Sequence, residues 1–220
     1  MIDLISDTAT RPSPEMRRFM AEAPVGDEQL GEDPSVNRLQ EMVAELTGKE
    51  AALFLPSGTM CNIIGIKLHT QPGDKIILDR HAHPFTSEAG GPGLLAGVLT
   101  HLVDGVRGVF TAQQVEEAAQ PGDGIHTPPT TLVCIENTHN RGGGKIWPLE
   151  TLEAVADKAH ELGLKVHLDG ARLLNAVVAT GIPAHVWCAK MDTCWIDLSK
   201  GLGCPVGAVL AGDRETIRRA

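Results

Sequence analysis

The chain has 220 residues, 42% apolar and 21% charged, and its 19 basic and 28 acidic side chains sum to −9, a balance that disfavours a broad nucleic-acid surface. No apolar run approaches the ~20 residues of a membrane-crossing helix, and the first twelve residues hold two aspartates and no apolar core of the kind a secretory leader carries. Five cysteines without a CxxC pair, and no tyrosine at all, lead us to expect a cytoplasmic globular protein with reduced thiols, no disulfide framework, no metal site and no chemistry that needs a tyrosine proton donor.

Asp33 as cap and Pro34 at the first helical position open a helix. In it Val36, Leu39, Met42, Val43 and Leu46 recur every three or four residues until Gly48. Residues 51–55 read as a strand, followed by a Pro56-Ser57-Gly58-Thr59 turn and a second helix to about His69. Residues 75–79 and 97–103 are further strands, and Thr111 with Gln114 forms a capping box for a helix reaching about Gly122. Residues 131–136 make a buried-type strand. Leu149, Leu152, Val155, Ala156, Ala159 and Leu162 mark an amphipathic helix closed by Gly163. Strands at 165–169, 192–198 and 206–211 follow, the last entering a helix capped by Asp213. Strands alternating with helices predict an α/β fold whose mainly parallel sheet is covered on both faces. The chain stops about two turns into that final helix, so we expect further protein beyond residue 220.

Parallel sheets bind ligands at the carboxyl ends of their strands. The Ser57-Gly58-Thr59 turn at a helix start either joins two elements or holds an anion on free backbone N–H groups. It matches neither GxxxxGK[ST] nor GxGxxG, which disfavours nucleotides. Asp169, ending a strand, is either a cap or a buried acid that needs a cationic partner. Lys200, ending another and followed by glycines, is either a surface lysine or a functional one. The three together match the needs of pyridoxal 5′-phosphate: a lysine for covalent attachment, an acid for the pyridine nitrogen and a phosphate cradle.

Longer stretches carry a resemblance. They are Ser6-Asp7-Thr8-Ala9-Thr10-Arg11-Pro12, Val25-Gly26-Asp27 with Gly31-Glu32-Asp33-Pro34, and Pro56-Ser57-Gly58-Thr59-Met60-Cys61-Asn62. Further on come Glu88-Ala89-Gly90-Gly91, Glu136-Asn137-Thr138-His139-Asn140, His167-Leu168-Asp169-Gly170-Ala171-Arg172 and Leu198-Ser199-Lys200-Gly201-Leu202-Gly203. The chain resembles the L-threonine aldolases, pyridoxal-phosphate lyases of the aspartate-aminotransferase fold in the β-eliminating lyase superfamily. The resemblance implies retro-aldol cleavage of L-threonine or L-allo-threonine to glycine and acetaldehyde. It implies that Lys200 attaches the cofactor and that Asp169 meets its pyridine nitrogen. Gly58 and Thr59 would hold the phosphate with Asn62 nearby, and Ser199 would join the cofactor contacts. Arg172 would sit beside the cofactor's phenolic oxygen or the substrate carboxylate, which Ser6 would also reach. His83 would stack on the ring and His126 would lie near the substrate hydroxyl; either could be the base for the hydroxyl proton. Residues 1–33 would form an arm and 34–220 the cofactor domain of a homotetramer with shared sites. A smaller domain beyond residue 220 would add an arginine for the substrate. Leu30 stands where family members often carry a tyrosine. The rival readings are another lyase or aminotransferase on this fold, a non-catalytic partner chain, and a plain phosphate-binding α/β module.

Overall fold

The computed structural model describes residues 3–119, 121–123 and 125–220. Two short helices precede the sheet: α1 (Pro14–Glu22), capped by Ser13, and α2 (Pro34–Thr47), whose cap Asp33 accepts from the amides of Ser35 and Val36. Gly48 ends α2 with φ at 66°, a conformation that costs glycine little and other residues more. The order then runs β1 (Ala51–Leu55), α3 (Gly58–Leu68), β2 (Lys75–Asp79), α4 (His83–Thr86), β3 (Leu99–Val103), α5 (Ala112–Ala118) and β4 (Thr130–Glu136). It continues through α6 (Leu149–Glu161), β5 (Lys165–Gly170), α7 (Leu173–Thr180), α8 (Ala184–Cys188), β6 (Thr193–Asp197), β7 (Ala208–Gly212) and α9 (Arg214–Arg219).

The seven strands form one sheet in the order β1-β7-β6-β5-β4-β2-β3. β7 runs antiparallel to both its neighbours and the other pairings are parallel. The mainly parallel sheet expected from the alternation is therefore present. Because β7 reverses twice, β1 points the same way as β4, β5 and β6, and the residues after all four strands collect along one edge. Register sharpens this: Glu136 pairs with Asp169, Asp169 with Trp195, and His167 with Thr193. Side chains alternate in strands and paired residues share a face. Thus Glu136, His167, Asp169, Thr193, Trp195 and Asp197 lie on one face. The intervening Val133, Ile135, Val166, Leu168, Cys194 and Ile196 lie on the other, in the larger core with the buried faces of α2, α5, α6 and α8.

Several boundaries differ from expectation. α5 ends at Ala118 rather than near Gly122, where Pro121 and Gly122 deny the helix a donor and rigidity; Gln120 lies outside the described residues. β7 begins at Ala208, after a Gly207 with φ at 106° that no strand residue would adopt. Helices α1, α4, α7 and α8 were not legible in the hydrophobic period, being only four to nine residues long. Among the described residues no helix is long and apolar enough to cross a membrane.

Candidate active site

A cavity of about 200 Å³ opens at the carboxyl edge of the sheet, lined by Gly58, Thr59, His83, Glu136, Asp169, Arg172, Trp195, Asp197, Ser199 and Lys200, with Thr8 from the arm. Of the residues expected from sequence, Lys200, Asp169, Gly58, Thr59, His83, Arg172 and Ser199 are brought together here. A neighbouring cavity of about 320 Å³ lies past Arg172, but Leu174, Val177, Val178 and Leu202 make much of its wall apolar. The reactive side chains converge in the smaller one.

Lys200 follows β6 and is mostly buried, its Nζ 3.0 Å from Asp197 Oδ2 and 5.8 Å from the centre of the Trp195 ring. Asp197 is itself pinned, since its Oδ1 accepts from the Ser199 amide at 2.7 Å and the Ser199 hydroxyl at 2.8 Å. Asp169 is 4% exposed. Its Oδ2 accepts from Asn62 Nδ2 at 2.8 Å and its Oδ1 from the Ala171 amide at 3.1 Å. The cationic partner expected for this buried acid is not there: among the described residues no cation pairs with Asp169, and an amide takes that place. Two of the carboxylate's roughly four lone-pair positions remain free.

Gly58 opens α3, and the amides of Gly58 and Thr59 precede any intrahelical partner. Ser57 caps the helix by accepting from Met60. A Cβ on Gly58 would come within 2.3 Å of the Trp195 ring, so only glycine lets the indole pack beneath the turn. Asn62 corrects the sequence reading. It does not face the phosphate turn but lies fully buried, donating to Glu88 Oε1 at 2.6 Å as well as to Asp169. Its Oδ1 accepts from Trp195 Nε1 at 2.7 Å.

His83 Nδ1 lies 2.8 Å from Glu88 Oε1, and that hydrogen bond raises its pKa above the ordinary histidine value. The His83 amide donates to Glu136 Oε2. Burial, then the charge of Asp169, pushes the Glu136 carboxyl up. Arg172 pairs with Asp7 of the arm through both carboxylate oxygens at 2.5 and 2.9 Å, which lowers the Asp7 pKa and raises that of Arg172.

Two expected residues are not in the cavity. Ser6 is exposed on the arm, where its hydroxyl caps a short turn and meets Thr8 Oγ1 at 2.7 Å. His126 is also not brought there: its side chain is 83% exposed beside Pro72–Asp74, on a loop gathered by Asp123, which accepts from the amides of Ile125, His126 and Thr127. His69, which ends α3, is half-buried and hydrogen-bonded to Thr193 at 3.0 Å. His139, undecided from sequence, is buried; its Nδ1 accepts from Gly142 while Nε2 faces Asp79, a loop-holding role. Missed altogether were Glu88, Glu136, Trp195 and Asp197 as site residues. Asp197 carried a readable signal, an acid ending a buried strand just as Asp169 does.

This donor set fits pyridoxal phosphate. His83 lines the same cavity as Asp169, and Asp169 lacks a cation that a protonated pyridine nitrogen would provide. Two free amides face the same space, and Lys200 stands on its wall. A mainly parallel sheet with these groups at its carboxyl edge defines the fold-type-I class of pyridoxal-phosphate proteins. Residues 3–220 match the model of the beta-eliminating lyases, and the chain belongs to that family. The low specificity L-threonine aldolase of Escherichia coli (strain K12) is 44% identical over 221 residues, a match spanning all of this chain and 65% of that protein. A probable low-specificity L-threonine aldolase 2 of Arabidopsis thaliana is 42% identical, covering 100% and 62% respectively. The fold matches that of a threonine aldolase of Leishmania major with a TM-score of 0.83 at 23% identity, over 97% of this chain and 63% of that one. The chain spans between about half and two thirds of the length of the curated relatives it matches.

Proposed function

We propose that this chain provides the cofactor site of an L-threonine aldolase, which cleaves L-threonine or L-allo-threonine to glycine and acetaldehyde. The observation that carries the reading is the meeting of Lys200, Asp169 and the Gly58–Thr59 amides around one cavity. When bound, pyridoxal phosphate supplies an aldehyde carbon for an amine and a ring that withdraws electrons from the substrate Cα.

The chain's own residues do the rest. Asp197 holds Lys200 Nζ at the cavity wall, from which it would attach the cofactor. Gly58 and Thr59 bind the phosphate with backbone N–H groups, helped by the positive end of α3. Asp169 keeps a proton on the pyridine nitrogen. His83 is the base: its Nδ1–H donates to Glu88, which leaves Nε2 as the nitrogen with a free lone pair for the substrate's hydroxyl proton. Arg172, oriented by Asp7, binds the substrate carboxylate. Residues 1–33 act as that arm and 34–220 as the cofactor domain. The exposure of Leu4, Ile5, Phe19 and Val25 on the arm supports association with further copies, and His126 would then contribute from its loop. Its reduced cysteines suit a cytoplasmic enzyme.

Titrating the chain with pyridoxal phosphate while recording visible absorbance tests this directly. A new band that Lys200→Ala abolishes, with acetaldehyde released from L-threonine in a dehydrogenase-coupled assay, is the expected result. No band, or α-keto acid formed in place of acetaldehyde, overturns it.

A further inference from the structure

We propose that His167, with Thr193 and His69 behind it, is a positioning relay that orients the Asp169 carboxylate toward the pyridine nitrogen, an inference that rests on the cofactor reading above. The relay is a continuous run of hydrogen bonds beneath α3. His69 Nε2 meets Thr193 Oγ1 at 3.0 Å, Thr193 Oγ1 meets His167 Nδ1 at 2.8 Å, His167 Nε2 meets Asn62 Oδ1 at 3.2 Å, and Asn62 Nδ2 meets Asp169 Oδ2 at 2.8 Å.

The direction of every bond follows from two groups whose chemistry allows no choice. An indole nitrogen only donates, so Trp195 Nε1 at 2.7 Å makes Asn62 Oδ1 the acceptor side of the amide. Two carboxylates, Glu88 and Asp169, face the other side, which must be the NH2. His167 Nε2 therefore carries the proton it donates to Asn62. Burial keeps His167 neutral, with its pKa lowered to about 3, so its Nδ1 is a bare acceptor. The Thr193 hydroxyl must then donate to it, and Thr193 in turn accepts from His69 Nε2–H. His69 is also held neutral by burial, its pKa lowered to about 4. All four donors thus point toward Asp169, and the last of them fixes its Oδ2 in place.

The helix above is cut to receive this arrangement. Gly58, Asn62 and Gly65 follow at i, i+4 and i+7, one face of α3. A Cβ on Gly58 would meet the Trp195 ring at 2.3 Å, and one on Gly65 would meet His167 Cε1 at 2.3 Å. The two rings that donate to Asn62 each occupy the room left by a missing side chain on either side of it. An ordinary apolar helix face would displace both.

Long-range proton–nitrogen NMR on the histidine-labelled chain, without cofactor, reads the wild-type tautomer with no variant needed. We expect His167 protonated on Nε2 with Nδ1 bare at neutral pH, the Nδ1 resonance displaced in Thr193→Val, where its hydrogen bond is lost, and back at the wild-type position in Thr193→Ser. A His167 proton on Nδ1, or an Nδ1 resonance that Thr193→Val leaves unmoved, overturns the relay. Its effect on the cofactor is read by pyridoxal phosphate titration: affinity about tenfold weaker in Thr193→Val, the worth of one hydrogen bond, and restored by Thr193→Ser. Equal affinity in Thr193→Val and wild type overturns the role. A wild-type chain that takes up no pyridoxal phosphate overturns the cofactor reading and the relay's role toward it, while the tautomer pattern separately decides the bond directions.

Discussion

Asn62→Ala removes one side chain and leaves four buried groups without their partner. Asp169 and Glu88 each lose a donor, while Trp195 Nε1 and His167 Nε2 each lose an acceptor. A buried group left unpaired costs about 1–3 kcal/mol, more when charged. Asp169 borders the cavity and can recover a water, so we take about 4 kcal/mol for the set rather than the full sum. For a chain of this size each kcal/mol moves Tm by about 2–4 °C, so the variant should melt roughly 8–16 °C below wild type. Asn62→Asp sharpens the test. It keeps the shape but sets a third carboxylate against two others, so at pH 7 it should be less stable than Asn62→Ala, and should regain stability as the pH falls and one carboxyl takes a proton. Calorimetric or circular-dichroism melting of both variants between pH 5 and 7 measures this. A drop of less than about 3 °C for Asn62→Ala, or an aspartate variant as stable as wild type at pH 7, would refute the closed network.

Four further outcomes follow from the geometry. Gly58→Ala puts a methyl 2.3 Å from the rigid Trp195 ring, so it should cost about 1–3 kcal/mol and weaken phosphate binding, as seen by melting and by anion titration. His69 and His167 are held neutral, so they take up protons only in the unfolded chain between pH 6.5 and about 4. Their contribution is therefore complete above pH 6.5 and is lost on acidification, and His69→Gln should flatten that part of the stability profile. His83 has the opposite sign: its raised pKa stabilises the fold below pH 6.5 and the gain disappears as pH rises through the raised value, a slope that Glu88→Gln should abolish in an NMR titration. The Asp7–Arg172 pair has a depressed carboxyl, so it persists at neutral pH and fails as pH falls below the ordinary 3.8; Arg172→Leu should release the arm to limited proteolysis at any pH.

The sequence alone determined the parts governed by local rules. Alternating strands and helices implied a mainly parallel sheet, caps such as Asp33, Thr111 and Asp213 marked helix starts, and strand-end positions marked Asp169, Lys200 and the Gly58–Thr59 turn. Local backbone preference, periodic burial and the placing of ligands at strand ends depend on neighbours in the chain, which a sequence displays. Other features were decided only by the tertiary structure. The antiparallel β7, inserted between β1 and β6, needs the sheet order, which no local pattern encodes. Asn62 looked like a phosphate neighbour because it follows the turn, yet the helix rotates it inward onto acids 26 and 107 residues away. His126 shared a resemblance with the site residues but sits on an outer loop, and His69 finds its partner Thr193 on β6, 124 residues away. A side chain's partner is set by which strands lie side by side and which face they turn to a helix. That information resides in contacts between distant segments, and it appears only when the chain is folded.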